Sequence, residues 1–279
     1  MKVTEGKKIY FASDNHLGLP DSKSSLLREK KFVKWLDFIK EDAHSIYLLG
    51  DLFDFWFEYK TVVPKGFIRV LGKIAEISDS GIPIYFFTGN HDMWVNDYFQ
   101  KELGIKVITE PQEFEINEKS FLIGHGDGLG PGDISYKLMK KFVTNNKFFK
   151  WCYSWVHPDI GVKLGQFLSR EKKIMSAKKD IGNIENQWLT QYCRKKLETN
   201  NYNYFIFGHS HIPVELNLNS ESKYVNLGDW ISHFSYAQFD GKELILKKYD
   251  GYSDNTKKCP AAASRNHILS ISGFHSVIF

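Results

Sequence analysis

Short apolar runs recur along the chain, and most of them stop at a cluster of polar residues. KKIYFAS leads into Asp14, Asn15 and His16, SIYLLG into Asp51, and PIYFFTG into Asn90, His91 and Asp92. SFLIG leads into His125, Gly126 and Asp127, and YFIFG into His209, Ser210 and His211. Runs of this length, bounded by turn residues, predict buried β-strands. Between the early runs the apolar positions fall at helical spacing. SSLLREKKFVKWLDFIKED carries Leu27, Phe32, Trp35, Leu36, Phe38 and Ile39 on such a repeat, and FIRVLGKIAEIS continues the habit. Strands alternating with helices predict an α/β fold built from βαβ-like units.

The polar clusters begin at residues 14, 51, 90, 125 and 209, at intervals of 37, 39, 35 and 84. Each of the first three intervals suits one strand–helix unit of about 30 residues or more. The last is too long, which predicts an insertion over 134–198 in a core made of 1–133 and 199–250. The insertion is rich in rings near its start (Phe142, Phe148, Phe149, Trp151, Tyr153, Trp155), is punctuated by Pro158, Gly161 and Gly165, and then reads as helix. KYVNLGDW, SYAQFD and ELILKKYD predict an antiparallel finish. From Gly251 the pattern stops, so 251–279 is expected to be a poorly ordered tail.

Composition narrows the class. With 42% hydrophobic and 25% charged residues in a chain of 279, a core can form, and disorder, collagen and coiled coil are excluded. The longest apolar runs stop well short of the ~20 residues of a membrane-spanning helix, and no secretory signal is visible. Cys152, Cys193 and Cys259 suit neither a zinc site nor a disulfide framework, which predicts reduced thiols and a cytoplasmic protein, with Cys152 in WCYSW packed rather than reactive. The net charge of +4 is uneven: 134–198 holds 14 Lys/Arg against 5 Asp/Glu, or +9, leaving −5 elsewhere. Such asymmetry suits an anionic partner, whether nucleic acid, acidic headgroup or phosphorylated substrate. A solvated lysine-rich helical face is the plainer alternative, and so is simple packing for the rings.

Each polar cluster taken singly has an ordinary reading as a turn or a cap. Five of them at strand ends do not, because the carboxyl ends of strands in an α/β sheet are where loops converge on a ligand. The donor types are those of a metal centre. Asp14, His16, Asp51, Asn90, His125, His209 and His211 would supply eight bonds if Asp51 bridges, four to each of two ions. Two divalent cations bring +4 and the two aspartates return −2, so the centre would stay positive enough for a hydroxide and a phosphate ester or anhydride. Imidazole and carboxylate donors without thiolate suit Mn²⁺, Fe or Zn²⁺, and open six-coordinate character favours Mn²⁺.

The series DNH, GDLFD, GNHD, GHGD and GHSH resembles the five-motif signature of the calcineurin-like metallophosphoesterases, over roughly residues 7–250. The resemblance implies a four-layer α/β sandwich with a dinuclear centre. One ion would take Asp14, His16, Asp51 and His211, the other Asp51, Asn90, His125 and His209. FASDNHLG, YLLGDLFDFWFEY, GHGDGLGPGDISY and VNLGDW, with a helical insert between the fourth and fifth motifs, are closer still to the UDP-2,3-diacylglucosamine diphosphatase family of lipid A biosynthesis. That likeness implies splitting of the pyrophosphate of a UDP-linked diacylated sugar to UMP and a lipid monophosphate, under a lid that shelters acyl chains. It also implies peripheral association with the cytoplasmic face of the inner membrane, with neither nucleic acid nor an obligate protein partner. Trp56, Asp133 and Tyr136 fall where substrate contacts are implied, with Asn90 and His91, and Arg170, Lys172 and Lys173 are lid candidates for phosphate contacts. Proteobacterial members carry Arg after the metal-binding Asn, whereas this chain has His91. His91 would protonate the leaving oxygen, with Asp92 orienting its ring. That departure keeps open a relative acting on another phosphodiester, such as a nuclease or a soluble phosphoesterase. Seven intact donors argue against a non-catalytic scaffold.

Overall fold

The computed structural model describes residues 1–131, 137, 140, 146–176 and 184–251. Its first half winds β1 (Lys8–Ala12), α1 (Ser22–Ile39), β2 (Ala43–Leu49), α2 (Ile68–Asp79), β3 (Ile84–Phe87), α3 (Tyr98–Glu102) and β4 (Lys106–Ile108) into a parallel array. The second half supplies β5 (Gln112–Ile116), β6 (Lys119–Ile123), α4 (Lys147–Ser154), α5 (Pro158–Ser176), α6 (Trp188–Leu197), β7 (Tyr204–Phe207), β8 (Pro213–Asn217), β9 (Lys223–Leu227), β10 (Ser235–Phe239) and β11 (Leu244–Lys248). Two sheets result, in the orders β11-β10-β1-β2-β3-β4 and β5-β6-β7-β9-β8.

Alternation along the strands stacks the layers. In β1, Tyr10 and Ala12 face the helices while Ile9 and Phe11 face the second sheet. In β2, Ile46 and Leu48 join the helix-side core, and Tyr47 and Leu49 lie between the sheets. In β6 and β7, Phe121, Ile123 and Ile206 meet that inner layer from the other side, whereas Leu122, Phe205 and Phe207 pack outward against Leu189 and Cys193 of α6. Strands buried on both faces read as continuous apolar runs, as they do here. The order is helices α1–α3, sheet, sheet, α6: a four-layer sandwich. Helix α6 lies inside the span 134–198 but belongs by packing to the core's outer layer, because Leu189 and Cys193 are wholly buried against sheet residues.

The finish is antiparallel at β8–β9 and at β10–β11, yet β9 also runs parallel to β7, and β10 returns to the first sheet beside β1. Helix α1 departs from its repeat. Phe32, Trp35, Leu36 and Ile39 are buried, but Leu27 and Phe38 are exposed. Arg28 and Glu29 are buried in their place because the backbone needs them. Arg28 donates to the His16 carbonyl at 2.9 Å, and Glu29 accepts the Arg69 and Val70 amides at the otherwise uncapped start of α2. No helix among the described residues is long and apolar enough to cross a membrane.

Candidate metal centre

Strands β1, β2 and β3 run parallel in one sheet, as do β6 and β7 in the other, so five strand ends open on the same crevice. Their loops are zipped together by backbone hydrogen bonds. The Asp14 amide donates to Gly50 O, the His16 amide to Asp51 O, and the Gly208 amide to His125 O, at 2.9–3.1 Å. Asp14, His16, Asp51, His209 and His211 all have left-handed backbones, with φ between 43° and 65°. Such conformations cost a non-glycine residue about 1–3 kcal/mol each and persist only where the surroundings over-determine them. Five of seven candidate donors share this strain, which marks the crevice as built for placement rather than for stability.

The side chains form two clusters with one member in common. Asp14, His16, Asp51 and His211 place ligand atoms within 4.8 Å of one another, and so do Asp51, His125 and His209. Asp51 Oδ2 stands 3.6 Å from His16 Nε2 and 3.4 Å from His125 Nε2. Asn90 Oδ1 completes the second cluster at 3.3 Å from His125 Nε2, which is also 3.3 Å from His209 Nδ1. Close approach demands glycine here: a Cβ on Gly89 would meet Asp51 Oδ1 at 2.2 Å, and one on Gly50 would meet the Gly89 amide at 2.6 Å.

The donor set fits cations. Asp14 Oδ1 is buried without a well-formed hydrogen bond, facing His211 Nε2 at 3.1 Å and His16 Nε2 at 3.7 Å. His16 Nε2 and His211 Nε2 are themselves only 3.1 Å apart, two ring nitrogens converging on one point. His125 Nδ1 donates to Leu49 O at 2.7 Å, which fixes the ring and aims Nε2 inward, as a ligating imidazole requires. Burial alone would push the Asp14 and Asp51 carboxyls up. The facing rings, His211 and His16 for Asp14, His125 and His91 for Asp51, hold both low instead. Burial disfavours the charged form of His125, yet Asp51 outweighs it and carries His125 up to about 10. His209 is pushed down to about 4 by burial and by the charge on His125. Without an ion the carboxylates thus draw a proton onto an inward-facing ring, the electrostatic signature of a place for positive charge.

His91 lies beside the shared carboxylate, its Nε2 3.9 Å from Asp51 Oδ2. Burial lowers its pKa despite the facing Asp51. Asp92 does not orient that ring. Its Oδ1 accepts the Gly89 and Asp51 amides at 2.7 and 3.2 Å and its Oδ2 accepts the Leu52 amide at 2.8 Å, because those loop amides have no strand partner. Burial and the Asp51 charge push the Asp92 carboxyl up to about 7. The ring is held instead by Asp54 O at 2.9 Å and Ser169 Oγ at 2.6 Å from Nδ1. Ser169 was not legible as a functional residue. Its one signal is the four-residue spacing of Gly161, Gly165 and Ser169 along α5.

Trp56 is not a surface contact. It is wholly buried, stacked on Phe53 at 4.5 Å, and its indole donates to Glu58. Apolar neighbours on both sides of the loop after β2 draw it into the core. Asp133 and Tyr136 lie outside the described residues; Arg170, Lys172 and Lys173 fall on α5, with side chains outside the description. Tyr153 of α4 packs on Phe57, Trp94 and Phe55 at the crevice rim. The outer face of α4 and α5 exposes Phe148, Trp151, Trp155, Ile160, Phe167 and Leu168. Cys152 is exposed there too rather than packed, since the rings about it point to solvent, whereas Cys193 is buried.

A family profile described as calcineurin-like phosphoesterase matches residues 7–213. Among curated relatives, a UDP-2,3-diacylglucosamine hydrolase of Porphyromonas gingivalis is 38% identical over 257 residues, 87% of this chain and 98% of its own. A UDP-2,3-diacylglucosamine hydrolase of Histophilus somni is 27% identical over 231 residues, covering 80% and 92%. Yfce, a phosphoesterase from E. coli, aligns with 85% of this chain and 90% of its own at 16% identity and a TM-score of 0.41. With its sandwich of two mixed sheets and its five donor-bearing strand ends, the chain belongs to the calcineurin-like phosphoesterase family.

Proposed function

We propose that this chain is a dinuclear-metal hydrolase that splits the pyrophosphate of UDP-2,3-diacylglucosamine into UMP and 2,3-diacylglucosamine 1-phosphate, a step of lipid A biosynthesis. The supporting observation is Asp51 Oδ2, poised between two donor clusters at the foot of a rim covered by ring-bearing helices. Asp14, His16, Asp51 and His211 would hold one divalent cation, and Asp51, Asn90, His125 and His209 the other, with Mn²⁺ the best match to the donors. Bound there, the cations supply Lewis-acid polarisation of a phosphoryl oxygen and a water of lowered pKa.

The chain's own residues do the rest. Asp54 O can only accept a hydrogen bond, so His91 carries a proton at Nδ1 and turns Nε2 toward the shared carboxylate and the substrate. An approaching diphosphate favours a second proton at Nε2, which makes the ring a cationic donor to the departing phosphate. A phosphate monoester leaves with a second pKa of about 6, so it needs charge stabilisation more than full protonation. That is why His91 can stand where proteobacterial members have Arg. Asn90 positions substrate beside it.

Helices α4 and α5, from the span 134–198, act as the lid. Their exposed rings suit acyl chains and a bilayer boundary, and Arg170, Lys172 and Lys173, with Asp133 and Tyr136, are the candidate contacts for the polar part of the substrate. Association would be peripheral, at the cytoplasmic face of the inner membrane. The test is incubation of purified, Mn²⁺-loaded protein with UDP-2,3-diacylglucosamine and, in parallel, with nucleic acid. UMP release from the former alone supports the reading; cleavage of nucleic acid alone overturns it.

A further inference from the structure

Helix α5 reaches the crevice with one narrow face. Gly161, Gly165 and Ser169 are four residues apart and therefore lie along one side of the helix. Each meets the loop that follows β2. The Gly161 carbonyl accepts the Tyr153 hydroxyl at 2.5 Å, and a Cβ on Gly161 would touch the Tyr59 hydroxyl. A Cβ on Gly165 would stand 2.2–2.6 Å from three ring atoms of Phe55. Ser169 then arrives at Asp54 and His91. Its Oγ is 2.6 Å from His91 Nδ1, 3.0 Å from Asp54 O and 3.2 Å from Asp54 Oδ1.

We infer that Ser169 is a positioning residue for His91, set in place by the docking of α5 through Gly161 and Gly165. The chemistry of the three groups leaves one consistent arrangement. Asp54 O can only accept, so the Ser169 hydroxyl donates to it at 3.0 Å and turns its lone pair to His91. The proton on His91 Nδ1 is then shared between Asp54 O, at 2.9 Å, and Ser169 Oγ. Two acceptors at Nδ1 fix both the tautomer and the tilt of the ring, and so the aim of Nε2 at the substrate. One hydroxyl on the covering helix thereby ties that helix to the group that meets the leaving phosphate.

The inference rests on the reading of His91 as acting on substrate, and a four-member cycle separates the two. Wild type, Ser169→Ala, His91→Ala and the double variant are assayed on a small chromogenic phosphodiester with Mn²⁺ loaded. Ser169→Ala is expected to lower kcat about tenfold, the worth of one hydrogen bond, with KM and metal content unchanged. Its thermal midpoint is expected to hold or rise, because alanine is the better helix former. In the His91→Ala background the same substitution should change kcat by less than about twofold, the non-additivity of groups that act as a unit. An equal loss in both backgrounds, or no loss in wild type while His91→Ala is slow, overturns the positioning role and leaves the phosphoesterase reading standing. A His91→Ala enzyme as fast as wild type removes the role of His91 and that of Ser169 with it.

Discussion

Asp92 reaches across 41 positions of chain to hold Asp51: its Oδ1 accepts the Asp51 amide at 3.2 Å, while its other oxygen accepts the neighbouring Leu52 amide at 2.8 Å. The carboxylate therefore fixes the backbone from which Asp51, common to both donor clusters, projects, along with the Gly89 amide one step before Asn90. Asparagine has one acceptor where Asp92 needs two. In Asp92→Asn an amide donor would face a backbone donor, at a cost of about 1–3 kcal/mol. The expected outcome is a lower melting temperature of the metal-free protein and a 10–100-fold weaker Mn²⁺ affinity, roughly the range for outer partners of metal ligands. Thermal denaturation and calorimetric titration measure the two.

Gly89 has no room for a side chain, whereas Gly72, exposed on α2, has nothing within 4 Å of its would-be Cβ. Gly89→Ala is expected to displace Asp51 and bring metal content below two ions per chain. Gly72→Ala should leave metal content and activity intact and stabilise the fold by about 0.5–1 kcal/mol, the helix penalty of glycine. Elemental analysis of the dialysed variants, together with their melting curves, checks both.

The proton on His125 makes metal binding pH-dependent. With no cation, Asp51 keeps the His125 pKa near 10, so at pH 8 the ring is protonated, and it must lose that proton to coordinate. Binding at pH 8 should release about one proton per chain from this ring, and each unit of pH lost should weaken affinity by about tenfold for each proton released. Calorimetry in two buffers of different ionisation enthalpy reads the proton count. Release of none would contradict the charge assignment.

The exposed rings of α4 and its C-terminal cap are expected to serve the acyl chains alone. Phe148 is 70% and Trp155 76% exposed, and neither belongs to a donor cluster. Replacing both by Ser should cut turnover of UDP-2,3-diacylglucosamine by more than about tenfold, since each ring buried against a chain is worth about 1.5–3 kcal/mol. Turnover of a small chromogenic phosphodiester should stay within about twofold of wild type.

The crevice was legible before the fold because its donors end apolar runs, and a run that stops at Asp, Asn or His is a local signal. What surrounds the donors was not. Trp56 sits in a motif with Asp51 and Asp54 and looks like part of the site, but the side it faces is decided by its stacking on Phe53 and by Phe99, a distant partner that no periodicity reveals. The return of β10 to the edge of β1 is likewise a pairing across most of the chain. Asp92 lies next to His91 in sequence yet serves the amides of another loop, since adjacent side chains point apart. Ser169 is hidden deeper still: an ordinary polar residue in an amphipathic helix, it gains its meaning only from the register in which Gly165 meets Phe55.

Asp51 is expected to join two cations through one carboxylate. Anomalous scattering from crystals grown with Mn²⁺ tests it directly. The expected map has two peaks, each within bonding distance of Asp51, one also at Asp14, His16 and His211 and the other at Asn90, His125 and His209. A single peak, or two peaks that do not share Asp51, would contradict the account.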